Sequence, residues 1–241
     1  MRALATAAGG VASFPNDAPL YSLYVQLVGQ ESDSAVPRGL ARFPGNADLH
    51  AIASQRLQAQ GSVAQAAAEI RAALAEEPRL PHGWLQLADD ELALGHADSA
   101  VTALDAALAN GESSGTVAQF ALARGNALYA HANGTKQRAD FEAAHRFFAL
   151  ANRLVPTPEA AFLLGASALS VSQAAATEAP TAKSCDLVRL ADSTLTEAEQ
   201  NLATGRAVAP DAAQQFLDYA STLRPYVASQ LKALCQGNGD R

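Results

Sequence analysis

Apolar residues return along this chain at the three- and four-residue spacing of helices, in runs bounded by proline-bearing turns. The phrase Ser13-Phe14-Pro15-Asn16-Asp17-Ala18-Pro19-Leu20 is echoed by Arg42-Phe43-Pro44-Gly45-Asn46-Ala47-Asp48-Leu49. Glu76-Glu77-Pro78-Arg79-Leu80-Pro81 and Leu154-Val155-Pro156-Thr157-Pro158 follow further on. Proline ends one helix because it lacks an N–H and crowds the preceding turn, yet it is tolerated in the first turn of the next. Pro44 and Pro78 lie 34 residues apart, and Gly61 splits the interval into two periodic segments. The predicted unit is therefore helix, turn, helix, repeated over 18–46, 47–80, 81–114, 115–157 and 158–207 within a single domain, 1–241. Residues 3–14 look like the second helix of an incomplete unit, and a last helix over about 211–236 is expected to close the stack.

Within these units small residues fall where helix backbones must approach and bulky ones where gaps must be filled. Residues 47–80 supply Ala53, Ser54, Leu57, Ala66, Ile70, Ala73 and Pro78, and residues 81–114 supply Trp84, Leu87, Ala88, Gly95, Ala100, Leu104 and Ala107. Later units carry Gly125, Leu128, Ala144, Phe148 and Ala151, then Leu164 and Gly165. This pattern resembles the tetratricopeptide repeat. Three departures stand out: Glu91 where an aromatic is expected, Glu112 where proline is, and Ala168 where a large residue is. The third unit needs an extended turn around Asn133-Gly134-Thr135-Lys136, and the second helix of the last is delayed by the segment Gln173 to Lys183 and runs to about Thr204.

The resemblance implies an all-α fold, a right-handed superhelical solenoid of antiparallel helix pairs with a C-terminal capping helix. In that family the first helices line a concave groove that holds peptides or helices. Carried over unit by unit, the groove positions are Gln26 and Gln30; Asp48, Gln55 and Gln58; His82, Leu85, Asp89 and Leu92; Leu122, Asn126 and Tyr129; and Glu159, Phe162 and Leu169. Leu85, Leu92, Leu122, Tyr129 and Phe162 would make its C-terminal part apolar; otherwise Leu85, Leu122 and Phe162 would pack against the cap helix.

Composition narrows the function classes. Ala makes up roughly a quarter of the 241 residues, a helix-favouring bias, and 49% apolar content is enough to bury a core without metal. Acids outnumber bases 24 to 17, with the excess spread along the chain, so no basic face awaits nucleic acid. Residues 160–177 are uncharged, but their Ser, Thr, Gln and Gly residues favour a buried helix over a membrane span. Residues 3–16 lack the apolar block of a signal peptide and are read as a helix fragment.

Candidate chemistry is sparse. The sequence has no phosphate-binding glycine loop, His-Glu-x-x-His pair, nucleophile elbow or Cys-x-x-Cys pair. Asp89-Asp90-Glu91 cannot converge as paired carboxylates, since successive helical residues point about 100° apart, and is expected to be a solvated face. His50, His82 and His96 read as structural or exposed, and His131 and His145 bracket the insertion without forming a metal set. No catalytic residue, metal or cofactor is assigned. Cys185 and Cys235 have Pro210 at their midpoint. A helix hairpin turning there would bring both to its open end, each on the order of 35 Å away; Pro225 should kink the second arm. They are expected either to bridge, which would place the protein in the periplasm or another extracytoplasmic compartment, or to remain buried thiols in a cytoplasmic protein.

The sequence thus predicts a non-enzymatic scaffold whose partner is another protein, through a peptide or amphipathic helix. The alternative is a periplasmic carrier of a small hydrophobic molecule such as a lipid.

Overall fold

The computed structural model describes residues 2–28 and 34–235. Among these the chain is all-helical, with no strand, and divides into two compact units, Met1–Glu112 and Ser113–Arg241. The N-terminal unit holds α1 (Arg2–Ser13), α2 (Ala18–Val28), α3 (Ala35–Arg42), α4 (Ala47–Ala59), α5 (Val63–Glu76), α6 (Gly83–Ala93) and α7 (Ala97–Ala109). The C-terminal unit holds α8 (Ser114–Thr135), α9 (Arg138–Leu154), α10 (Pro158–Ala182), α11 (Cys185–Gly205), α12 (Pro210–Gln230) and a π-helical turn, Leu231–Cys235. Gln30 and Gln236, at a groove position and at the end of the expected cap, lie outside the described residues.

Successive helices pack as pairs, α1 on α2, α4 on α5, α6 on α7, α8 on α9 and α10 on α11. The turns explain where they start and stop. Asn46, Ser113, Thr157 and Ser184 each precede a helix and accept the backbone N–H three residues on, satisfying a donor the helix leaves unpaired. Gly61 and Gly95 follow α4 and α6 with φ of +76° and +82°, a left-handed turn that glycine adopts without steric cost. The indole N–H of Trp84 donates to the Pro78 carbonyl at 2.8 Å, pinning the start of α6 to the turn before it.

The C-terminal unit departs from expectation in two places. No extended turn forms at Asn133–Lys136: α8 runs through Thr135 and ends on Lys136 in the left-handed conformation (φ 58°). The second helix of the next pair does begin only at Cys185, as expected, but the residues before it form no connection, because Gln173–Ala182 continues α10. The additional residues lengthen the helices instead, to 22 residues in α8 and 25 in α10. The segment 166–179 holds neither Gly nor Pro, so nothing in it breaks a helix. Pro225 lies inside α12 without ending it; the helix continues to Gln230.

Close packing holds α10 to its neighbours. A Cβ at Gly165 would meet the Leu202 backbone nitrogen at 2.8 Å, and one at Gly205 would meet the Phe162 Cα at 2.8 Å. Around this crossing Ala168, Leu169, Ala175, Val188, Leu195, Ala198, Leu202, Ala220 and Val227 form one buried cluster drawn from α10, α11 and α12. By length and composition α10 is the one described helix that could cross a membrane, yet two-thirds of its apolar window is buried by protein.

Candidate functional site

Two places bring polar side chains together on first helices of successive pairs. In the N-terminal unit a seam joins α4 to α6. Gln86 Nε2 donates to Ser54 Oγ at 2.7 Å, and Gln58 Nε2 donates to Asp90 Oδ1 at 3.0 Å. The expectation of a solvated acidic face is corrected here, since Asp90 is fully buried and Glu91 nearly so. Helical spacing sends the three carboxylates in different directions: Asp89 is half-buried, Asp90 meets α4, and Glu91 pairs with Arg71 of α5 and with His96 Nδ1 at 2.9 Å. Glu91 thus fills the aromatic position with an ion-paired clamp. Glu112, in place of the expected proline, does similar work: its Oε1 accepts the His82 backbone N–H at 2.8 Å.

Asp90 is the anomaly of this seam. Its Oδ2 is buried with no hydrogen-bond partner among the described residues. Burial first, then the charge of Asp89, pushes the carboxyl up to about 6, against the pull of Gln58 and Arg71. His50 is shifted too. Burial would lower its pKa, but Glu69 Oε2 at 2.6 Å from Nδ1, the Pro44 carbonyl at 2.8 Å from Nε2, and Glu76 together raise it above 6.5.

The second place is a cleft of about 370 Å³ in the C-terminal unit, where the last turns of α8 and α10 stand apart over α9. Asn133, Lys136, Ser170, Gln173, Thr177 and Glu178 give it polar walls, with Phe141 and Ala174 as apolar patches. Tyr129 supports it, its hydroxyl 2.9 Å from Ser170 Oγ and its ring edge-on to Phe141 at 5.8 Å. Glu178 is held by Arg138 at 2.8 Å, which fixes that wall.

The residues carried over as groove positions scatter. Gln26, Asp48, Gln55, Gln58, Asn126 and Glu159 are exposed, as is His82; Asp89, Leu92, Leu122, Tyr129 and Phe162 are half-buried. Leu85 and Leu169 are buried, at 8% and 4% exposure, and offer an incoming ligand no surface. Leu122 packs against Phe148 of α9 and Leu164 of α10, whereas Phe162 tilts onto Phe216 of α12 at 5.9 Å, the contact with the last helix that the alternative expected. The sequence gives no signal for Asn133, Lys136, Gln173 and Thr177 as a set: the first two fall in an expected turn, and the other two at the end of an expected buried helix.

Cys185 and Cys235 are bonded, with Cα atoms 5.0 Å apart, tying the start of α11 to the π-helical turn. His145 lies between Ser167 Oγ at 3.3 Å and Glu197 Oε2 at 3.3 Å, an arrangement with the outline of a catalytic triad. Ser167, however, is fully buried and donates its hydroxyl to the Leu164 carbonyl, so it is not placed to attack a substrate. No group of three or more metal-ligating side chains occurs among the described residues.

The protein is all-helical, built from helices packed as adjacent pairs. No family model matches the chain, and no curated protein matches it. Among solved structures it is similar to a chain in the crystal structure of APC/C hetero-tetramer Cut9-Hcn1, with 14% identity, 90% of this chain covered and a TM-score of 0.38. The match covers 52% of that chain, so this protein spans about half its length.

Proposed function

We propose that the protein is a non-enzymatic interaction scaffold, and that the cleft between α8 and α10 seats a peptide or helix from another protein. The observation that carries this reading is the cleft's lining. A bound segment brings unpaired N–H and C=O groups, and Asn133 and Gln173 offer both a donor and an acceptor for them. Phe141 and Ala174 give one apolar side chain a place to rest, while Lys136 adds a cation at the rim. A lipid would need a mostly apolar pocket, so the polar walls favour a peptide over the hydrophobic-ligand alternative. The Cys185–Cys235 pair supports an extracytoplasmic site of action, where such bonds persist.

Selection of a displayed random-peptide library on the full chain tests this reading. Enriched peptides should bind in calorimetry, and the double variant Lys136→Ala, Gln173→Ala should weaken them at least tenfold without lowering the melting temperature. Enrichment of no sequence, or equal binding to the double variant, would remove the cleft as the site.

A further inference from the structure

Charge is divided unevenly between the two units. Residues 1–112 contain 13 acids and 6 bases, all arginine, whereas residues 113–241 contain 11 of each. The whole net charge of −7 therefore belongs to the N-terminal unit. An acidic surface attracts basic partners and speeds their arrival, but it does not say where they dock.

Asp90 supplies the location. Its carboxyl faces α4, where Oδ1 accepts from Gln58, and its buried Oδ2 accepts from nothing described. An unpaired buried carboxylate oxygen weakens a fold, and such a cost persists where function draws on it. Gln58 is exposed and its side chain reaches down onto the carboxyl, so rotation of this one flexible side chain opens a path from solvent. The other charged groups near Asp90 are Asp89 and Glu91 on its own helix and Arg71 on α5; Glu91 is already engaged by Arg71 and by His96.

We infer that the seam between α4 and α6 docks a basic segment of a partner protein, one of whose arginine or lysine side chains displaces Gln58 and donates to Asp90. The incoming donor forms a charge-assisted hydrogen bond away from bulk water, the setting in which such bonds are strongest. This site lies in a different unit from the cleft of α8 and α10 and takes a different chemistry. Binding requires the ionised carboxylate, so affinity rises with pH through the titration of Asp90.

The test uses the full chain and two probes, an end-capped alternating Ala/Arg peptide with four arginines and its counterpart with Glu in place of Arg. In calorimetry at pH 7 and low salt the arginine peptide binds and the glutamate peptide does not. Asp90→Asn weakens binding about tenfold, Gln58→Ala strengthens it about threefold, and Glu77→Gln, which removes an exposed charge before α6, changes it by less than about twofold. Between pH 7 and pH 5 the wild-type affinity falls while that of Asp90→Asn stays flat. The melting temperature of Asp90→Asn, equal to or above wild type, shows that its loss is not unfolding. Equal weakening by Asp90→Asn and Glu77→Gln would overturn the inference, leaving only bulk charge attraction. So would failure of the arginine peptide to bind. Neither outcome bears on the cleft, which the Lys136 and Gln173 variants test separately.

Discussion

The two units build the same element, a pair of packed helices, by different means. N-terminal helices are short, 8 to 14 residues, and are cross-linked by polar side chains: Gln86 to Ser54, Gln58 to Asp90, Arg71 to Glu91. C-terminal helices are 17 to 25 residues long and approach until Gly165 and Gly205 touch neighbouring backbone. A long helix can bury an extended apolar stripe, and the ion pairs that join these helices, Arg138 to Glu178 and Arg224 to Glu199, lie at partly exposed positions around it. A short one buries less, and directional bonds must fix the register. Polar linkage brings titratable groups into the interior, which makes the N-terminal unit responsive to pH and charge in a way that contact between glycines and alanines is not.

Amide exchange read helix by helix can break this comparison. The largest effect is expected from replacing both Cys185 and Cys235 by serine. Opening a loop of 50 residues costs about 4 kcal/mol on the chain-entropy account, and protection should fall in α10–α12 while the N-terminal unit is unmoved. Gly165→Val comes next, at about 3 kcal/mol, because the added side chain meets the backbone of α11, which cannot step aside cheaply. Equal loss of protection in both units would contradict the division.

Asp90→Asn should act the opposite way. A carboxyl raised from 3.8 to about 6 in the folded state binds its proton more tightly there than in the unfolded chain. Its ionisation destabilises the fold at neutral pH, and stability is regained as pH falls through 6. The asparagine variant should therefore be more stable than wild type at pH 7, by on the order of 2 to 3 kcal/mol, with the gain confined to α4–α7. His50 gives the smallest effect. Its raised pKa adds stability that is fully present below 6.5 and is lost as pH rises through the folded value, so His50→Gln should destabilise the fold at pH 6 and do so less at pH 8. Urea titrations of each variant at pH 5, 6, 7 and 8 give both signs.

Much of the architecture was legible because it is local. Prolines 44, 78 and 156 and the glycines 61 and 95 mark turns whatever surrounds them, and Gly165 sits where two backbones meet. Polar pairing across 32 residues was not legible, since Gln58 and Asp90 each look like ordinary surface residues until the fold juxtaposes them. The acidic excess, expected to be spread along the chain, instead falls wholly before the boundary at 112, which only the fold reveals. The cleft escaped for a related reason. Repeats of fixed length force surplus residues into loops, whereas here they extend α8 and α10 and thereby create the walls formed by Asn133 and Gln173. The groove assignment suffered from register: Leu85 and Leu169 face inward, and their immediate neighbours in sequence are themselves buried or half-buried.

Trp84 is the sole tryptophan in the chain and is anchored by its hydrogen bond to Pro78. Its fluorescence is consequently a built-in optical probe of one half of the molecule, silent about the other. Emission followed beside far-ultraviolet dichroism, which sees every helix, would reveal as two non-superimposable curves any melting of the halves in sequence.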